Sequence, residues 1–127
     1  VYALSASDGS EQWRYETDGE VTASPAVADD TVYVGSADST VYALAASDGS
    51  EQWTYETEGS VESSPAVVGD TVYVGSNDGN VYLLSADSGE IQWRHETGGA
   101  VSSSPAVADG VVYVGSVDTN VYALISG

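Results

Sequence analysis

Val41-Tyr42-Ala43-Leu44-Ala45-Ala46-Ser47-Asp48-Gly49-Ser50-Glu51-Gln52-Trp53 decides the fold, because the chain writes this sentence three times. It stands first at Val1 to Trp13 and again, with Leu83 and Ser85 among its exchanges, at Val81 to Trp93. Val121-Tyr122-Ala123-Leu124 begins a fourth copy. The step from Val1 to Val41, Val81 and Val121 is a constant 40 residues. A period of this length identifies an array of supersecondary units, each able to bury its apolar faces only when a neighbour stacks against it.

Working outward from that stretch, one period reads as four strands separated by turns. Ala23-Ser24-Pro25-Ala26-Val27-Ala28 has small residues and a Pro, suited to a crowded inner strand whose start spares the missing N–H. Asp29-Asp30 turns the chain into Thr31-Val32-Tyr33-Val34-Gly35-Ser36, and Ala37-Asp38-Ser39-Thr40 turns it again into Val41 to Ala45. After Ser47-Asp48-Gly49-Ser50, Glu51-Gln52-Trp53-Thr54-Tyr55-Glu56 alternates as a fourth strand with one wetter face. No window carries helical apolar spacing.

Four short antiparallel strands in 40 residues compose one blade of a β-propeller. The middle strands of a blade are covered on both faces by adjoining blades, and Val32 to Val34 and Val41 to Leu44 read accordingly as continuous apolar runs. The expected fold is all-β, with four-stranded antiparallel blades and three blades' worth of strands per chain. Taken as a single repeat domain, residues 1–127 divide into strands three and four of a shared blade (1–20), two complete blades (21–60 and 61–100), and strands one to three of a shared blade (101–127). Propeller rings have roughly four to eight blades. Two chains therefore make a six-bladed homodimer in which the opening strands of one complete the last blade of the other. One copy of the third strand, 1–4 or 121–124, is then redundant. The competing reading is an excised piece of a longer propeller.

Composition narrows the partners. The 127 residues hold twenty acids against two cations, Arg14 and Arg94, for a formal charge of −18. Nucleic-acid binding draws on cations that displace phosphate counterions, and this surface lacks them. The acid-rich, Lys-free composition is similar to that of proteins from extreme halophiles; an acidic secreted domain and an engineered repeat are the alternatives. Zero Cys removes disulfides and thiolate chemistry. No apolar run is long enough for membrane insertion as a helix, and no leader-like segment opens the sequence, so neither a spanning segment nor an intact signal peptide is expected.

The strings Ala43 to Trp53, Ser63-Ser64-Pro65-Ala66-Val67 and Thr71 to Tyr82 resemble the pyrroloquinoline-quinone-like (PQQ-like) β-propeller repeat. Its hallmark is an Ala, a turn ending in Gly, and a Trp four residues beyond. Gly9 with Trp13, Gly49 with Trp53, and Gly89 with Trp93 reproduce the spacing; Leu83 replaces the Ala. The family's Asp two residues after the Ala is here Ser5, Ala45 or Ser85, and its Thr before the Gly is Asp8, Asp48 or Ser88. The resemblance implies that Trp13, Trp53 and Trp93, with Gly9, Gly49 and Gly89, dock blade to blade, each buried Trp contributing about 1.5 to 3 kcal/mol. Ligand stacking is the alternative for a Trp series, but these sit at one repeated position and do not converge on a cleft.

Candidate chemistry is sparse. His95 replaces Tyr15 and Tyr55 of the sister repeats, has no neighbouring His or Cys, and reads as a surface strand residue. No Ser–His–acid set and no phosphate-cradling loop before a helix is readable, so no catalytic residue is assigned. Asp38, Asp78 and Asp118 recur in the turn between strands two and three, on the rim that also carries Glu16, Asp18, Glu20, Glu56, Glu58, Glu62 and Glu96. They are weak calcium or cation candidates; the plainer account is that each bonds its own turn backbone.

The near-identity of the repeats disfavours an active site, which needs different groups converging from different blades. The resemblance brings quinone- and calcium-binding dehydrogenases, whose eight blades, adjacent cysteines and catalytic Asp are not matched here, and non-catalytic relatives that act as outer-membrane assembly scaffolds or extracellular sensors. We therefore expect a non-catalytic scaffold or binding module without cofactor, self-associating and open to a protein partner. An extracellular or cell-surface setting is favoured by the resemblance alone. A degenerate dehydrogenase-type fragment and a ligand-free assembly unit, designed or excised, are the alternatives.

Overall fold

The computed structural model describes residues 1–125; positions 126 and 127, the end of the expected segment 101–127, lie outside the described residues. The described residues form strands and turns with no helix, and hence no helix among them is long and apolar enough to cross a membrane. Strands β1 (Tyr2–Leu4) and β2 (Glu11–Arg14) pair as a hairpin. β3 (Ala26–Ala28), β4 (Thr31–Gly35), β5 (Thr40–Ala45) and β6 (Glu51–Glu56) form an antiparallel sheet in sequence order. β7 (Ala66–Val68), β8 (Thr71–Gly75), β9 (Asn80–Ser85) and β10 (Ile91–Glu96) repeat it. β11 (Ala106–Ala108), β12 (Val111–Gly115) and β13 (Val121–Ile125) form a three-stranded sheet.

The first strand of each blade is shorter than the expected span from Ala23 to Ala28. Pro25 has no N–H for a ladder, and the Ser24 N–H turns away to donate to Ser64 Oγ of the next blade at 2.8 Å. Ser64 N–H donates likewise to Ser104 Oγ at 3.0 Å. These links, with β3 touching β7 and β7 touching β11, line the inner strands up side by side as the hub of a partial propeller.

Burial follows position in the blade. β4, β5, β8 and β9 are almost wholly buried, as Val and Tyr suit a pleated strand covered on both faces. Two clusters sit between successive blades, one around Val41, Trp53, Val61 and Leu84, the other around Tyr73, Val81, Val101 and Val112. A third gathers Val34 and Leu44 against Trp13, Tyr15 and Val21. At the two ends of the stack the same residue types are wet: Tyr2 is 65% exposed and Val121 80%.

Candidate functional site

Each outer strand carries a bulge. Ala43 faces Trp53 while Leu44 faces Glu51, so Gln52 is the extra residue; the same slip occurs at Gln12 and Gln92. A bulge re-aims the side chain beside it. Here it turns the Trp towards the next blade, where the Trp13 indole N–H donates to the carbonyl of Ala46 and that of Trp53 to the carbonyl of Ala86, both at 2.8 Å.

The indole rests on a glycine. Gly49 and Gly89 have φ of 77° and 74°, a left-handed conformation that costs other residues about 1 to 2 kcal/mol. A Cβ at Gly49 would lie 2.5 Å from Trp13 Cε3. Gly9 has the same turn, φ 75°, but a Cβ there would meet nothing within 4 Å. Trp93, the last of the series, is half-buried beside Tyr73, Val112 and their neighbours.

A second knob and seat recurs at the other end of the blade. A Cβ at Gly35 would overlap Val61, and one at Gly75 would overlap Val101. Val61 N–H and Val101 N–H donate to the carbonyls of Ser36 and Ser76, each at 3.0 Å. Aromatic pairs complete the interface, Tyr15 against Tyr42 and Tyr55 against Tyr82, both at 5.5 Å between ring centres. His95 is part of this series: in the outer strand β10, half-buried, it packs edge-on against Tyr122 at 5.7 Å.

The rim aspartates are engaged by the fold. Asp38 accepts from the N–H of Thr40 at 2.9 Å, the N–H of Asp18 at 3.1 Å, and the Tyr42 hydroxyl. Asp78 accepts from Asn80 N–H, Glu58 N–H and the Tyr82 hydroxyl; Asp118 from Asn120 N–H, Gly98 N–H and the Tyr122 hydroxyl. Burial, the largest influence on Asp38 and Asp78, acts to raise them, but the Tyr hydroxyl and backbone donors outweigh it and hold both below the usual carboxylate range. The Tyr122 hydroxyl, with the same backbone donors, lowers Asp118 to about 2. Burial first, and the facing carboxylate second, pushes the Tyr42 and Tyr82 hydroxyls up. Each carboxylate thus ties the turn between strands two and three to the blade connection. Among the described residues no group of three or more His, Cys, Asp or Glu could hold a metal ion.

Beside each aspartate lies a hydroxyl pair that sequence reasoning missed. Thr57 and Ser76 Oγ atoms lie 3.0 Å apart, as do Thr97 and Ser116, and Thr57 Oγ1 also donates to the carbonyl of Gly59 at 2.7 Å. The signal was present in the fixed recurrence of Thr17, Thr57 and Thr97 against Ser36, Ser76 and Ser116. It was hidden because Ser and Thr also fill ordinary turns.

The recurring pattern has known counterparts. BamB from Moraxella catarrhalis superposes with a TM-score of 0.79 at 27% identity, covering 92% of this chain and 37% of its own. The quinohemoprotein alcohol dehydrogenase ADHIIG from Pseudomonas putida HK5 gives 0.74 at 29% identity, over 83% of this chain and 18% of its own. That of Comamonas testosteroni gives 0.70 at 28%, over 80% and 18%. The chain therefore spans 37% or less of the length of each of these structures. No curated protein sequence matches it. A family model described as outer membrane protein assembly factor BamB matches residues 1–82 and 58–126. With a match over nearly its whole length, the chain belongs to the BamB-type family of PQQ-like β-propeller repeat proteins.

Proposed function

We propose that the chain is a non-catalytic scaffold or protein-binding module whose blades close into a ring with those of a second copy, six blades in all. The observation that carries this reading is the pair of unlike faces at the ends of the stack. One presents Tyr2, Leu4 and the bare Gly9 turn; the other presents Val117, Val121 and Ile125, each exposed. Apolar surface of this kind marks an interaction site. The family's description as an assembly factor supports recognition of protein, and the rim aspartates, already engaged by Tyr hydroxyls and backbone, serve the scaffold itself.

Light scattering coupled to size exclusion in about 2 M salt, where charges are screened beyond about 3 Å, tests it. The expected mass is twice the 13.0 kDa of one chain; a folded monomer refutes the ring. The dehydrogenase neighbours favour a second reading, a quinone- and calcium-binding fragment. Addition of quinone with calcium distinguishes the two: an absorbance change or a raised melting temperature promotes the second.

A further inference from the structure

Within the chain, the junction between the two four-stranded blades carries two knobs on two seats, and the junctions before and after it carry one each. Trp13 rests on Gly49 and Trp53 on Gly89; Val61 rests on Gly35 and Val101 on Gly75. Both series run out at the ends of the stack, in opposite senses. A Cβ at the Gly9 seat would meet nothing within 4 Å, and one at Gly115 would meet only the side chain of Ser103, no closer than 3.5 Å. Trp93 and Val21 are the knobs left over. Val21 lines a cleft of about 410 Å³ at the leading end together with Val1, Tyr2 and Tyr15, and Gly115 lines one of about 350 Å³ at the trailing end with Ser116 and Val117.

The leftover pieces match. We propose that the β1–β2 hairpin of a second copy displaces β13 and becomes strands three and four beside β12, seating Trp93 on the partner's Gly9 and the partner's Val21 on Gly115. The inference rests on the ring proposed above and specifies which strand completes it. The interface it forms repeats the Trp-on-Gly and Val-on-Gly contacts, each already present twice in the chain.

The exchange is almost neutral for strand three and favourable for strand four. Tyr2-Ala3-Leu4 repeats Tyr122-Ala123-Leu124, so β1 offers β12 the same ladder and places Tyr2 where Tyr122 meets His95 and Asp118. Unlike β13, β1 brings the Gly9 turn and β2 with it. If β13 stayed and the partner's β2 simply added to it, the Gly9 turn would be displaced and Trp93 would have no seat. The same spacing supplies a further bond: Thr57 N–H donates to the Ser39 carbonyl and Thr97 N–H to the Gly79 carbonyl, both at 2.7 Å, and the partner's Thr17 stands next in the series, facing the Thr119 carbonyl. A lone two-stranded hairpin is marginal in water, and docking on β12 gives β1–β2 a full blade.

The test uses engineered cysteines in a chain that has none. The register places Thr31 opposite Ala45, Thr71 opposite Ser85 and Val111 opposite Ile125; Ser5 is the position equivalent to Ile125 in the first copy. Cross-strand neighbours of this kind lie within disulfide reach. Oxidised in about 2 M salt, the full-length pair Val111→Cys with Ser5→Cys is expected to run as a covalent dimer on a denaturing gel, and Val111→Cys with Ile125→Cys to stay unlinked. The reverse result, in a sample whose mass is that of a dimer, overturns the strand exchange and leaves the ring standing. A monomer mass overturns both. Hydrogen exchange on the unmodified dimer gives an independent readout: protected amides at 2–4 with fast exchange at 121–125 supports the exchange, and the opposite pattern defeats it.

Discussion

Trp53 covers Gly89 so closely that a Cβ on the glycine would stand 2.5 Å from both Cδ2 and Cε3 of the indole. The glycine is needed twice, for its φ of 74° and for the space it leaves. Gly69 offers a control, with φ of 59° and nothing within 4 Å of a Cβ. Gly89→Ala is expected to destabilise by at least about 1 kcal/mol more than Gly69→Ala, since only the first adds displacement of a buried ring to backbone strain. Urea midpoints of the two variants decide it; equal losses would mean that the indole is not seated by the glycine.

The Tyr82 hydroxyl donates to Asp78 inside a turn that is also closed by backbone N–H groups and the Asn80 side-chain amide. Tyr82→Phe keeps the ring and its packing on Tyr55 but removes a charge-assisted donor. A loss of about 1.5 to 3 kcal/mol is expected, read from chemical denaturation, with Tyr55→Leu as a packing control that leaves the Asp78 bonds intact.

Acid should weaken the fold through the three rim aspartates. Their folded pKa values lie below the ordinary 3.8, with Asp118 at about 2. A depressed carboxylate contributes stability that is present above its unfolded pKa and is lost as pH falls through the folded value. In about 2 M salt, which screens the relief of carboxylate repulsion, the urea midpoint should fall between pH 3.8 and about 2. Asp118→Asn should make that fall shallower. On the alkaline side the sign reverses: the Tyr15 hydroxyl, held by Glu51 at 2.6 Å, is pushed up to about 12 from 10.0, so its contribution is lost as pH rises through about 12.

The repeats also contain their own stabilising substitutions. Ser39 and Thr119 adopt φ of 78° and 79° at the position where the middle repeat has Gly79 at 95°. A left-handed β-branched residue is strained. Thr119→Gly should raise stability by about 1 kcal/mol and Ser39→Gly by less, measured as shifts in the thermal midpoint.

A charge of −18 on one domain works against compaction. Raising salt from about 50 mM to about 2 M shortens the screening length to a few ångströms. The thermal midpoint should rise steadily over that range. A flat response would mean that the acidic surface does not govern stability.

Much of the architecture was legible along the chain. Alternation and turn residues placed the four strands of β3–β6 and of β7–β10. The first strand came out shorter than Ala23 to Ala28 because Ser24 serves the neighbouring blade, a destination that no local pattern carries. The ring partner of His95 was hidden for the same reason: Tyr122 is 27 residues away and belongs to the next sheet.

Period, strand order and turn chemistry are properties of neighbours in the chain, and they were readable from residue types alone. Which surfaces meet is a property of neighbours in space. Val41 and Val121 open the same word, yet one is 0% exposed and the other 80%; Gly49 is filled by Trp13 while Gly9 lies bare. Only the stacking of one blade on the next, through the bulge that turns each Trp outward, separates them, because burial depends on what stands opposite a residue and not on what stands beside it.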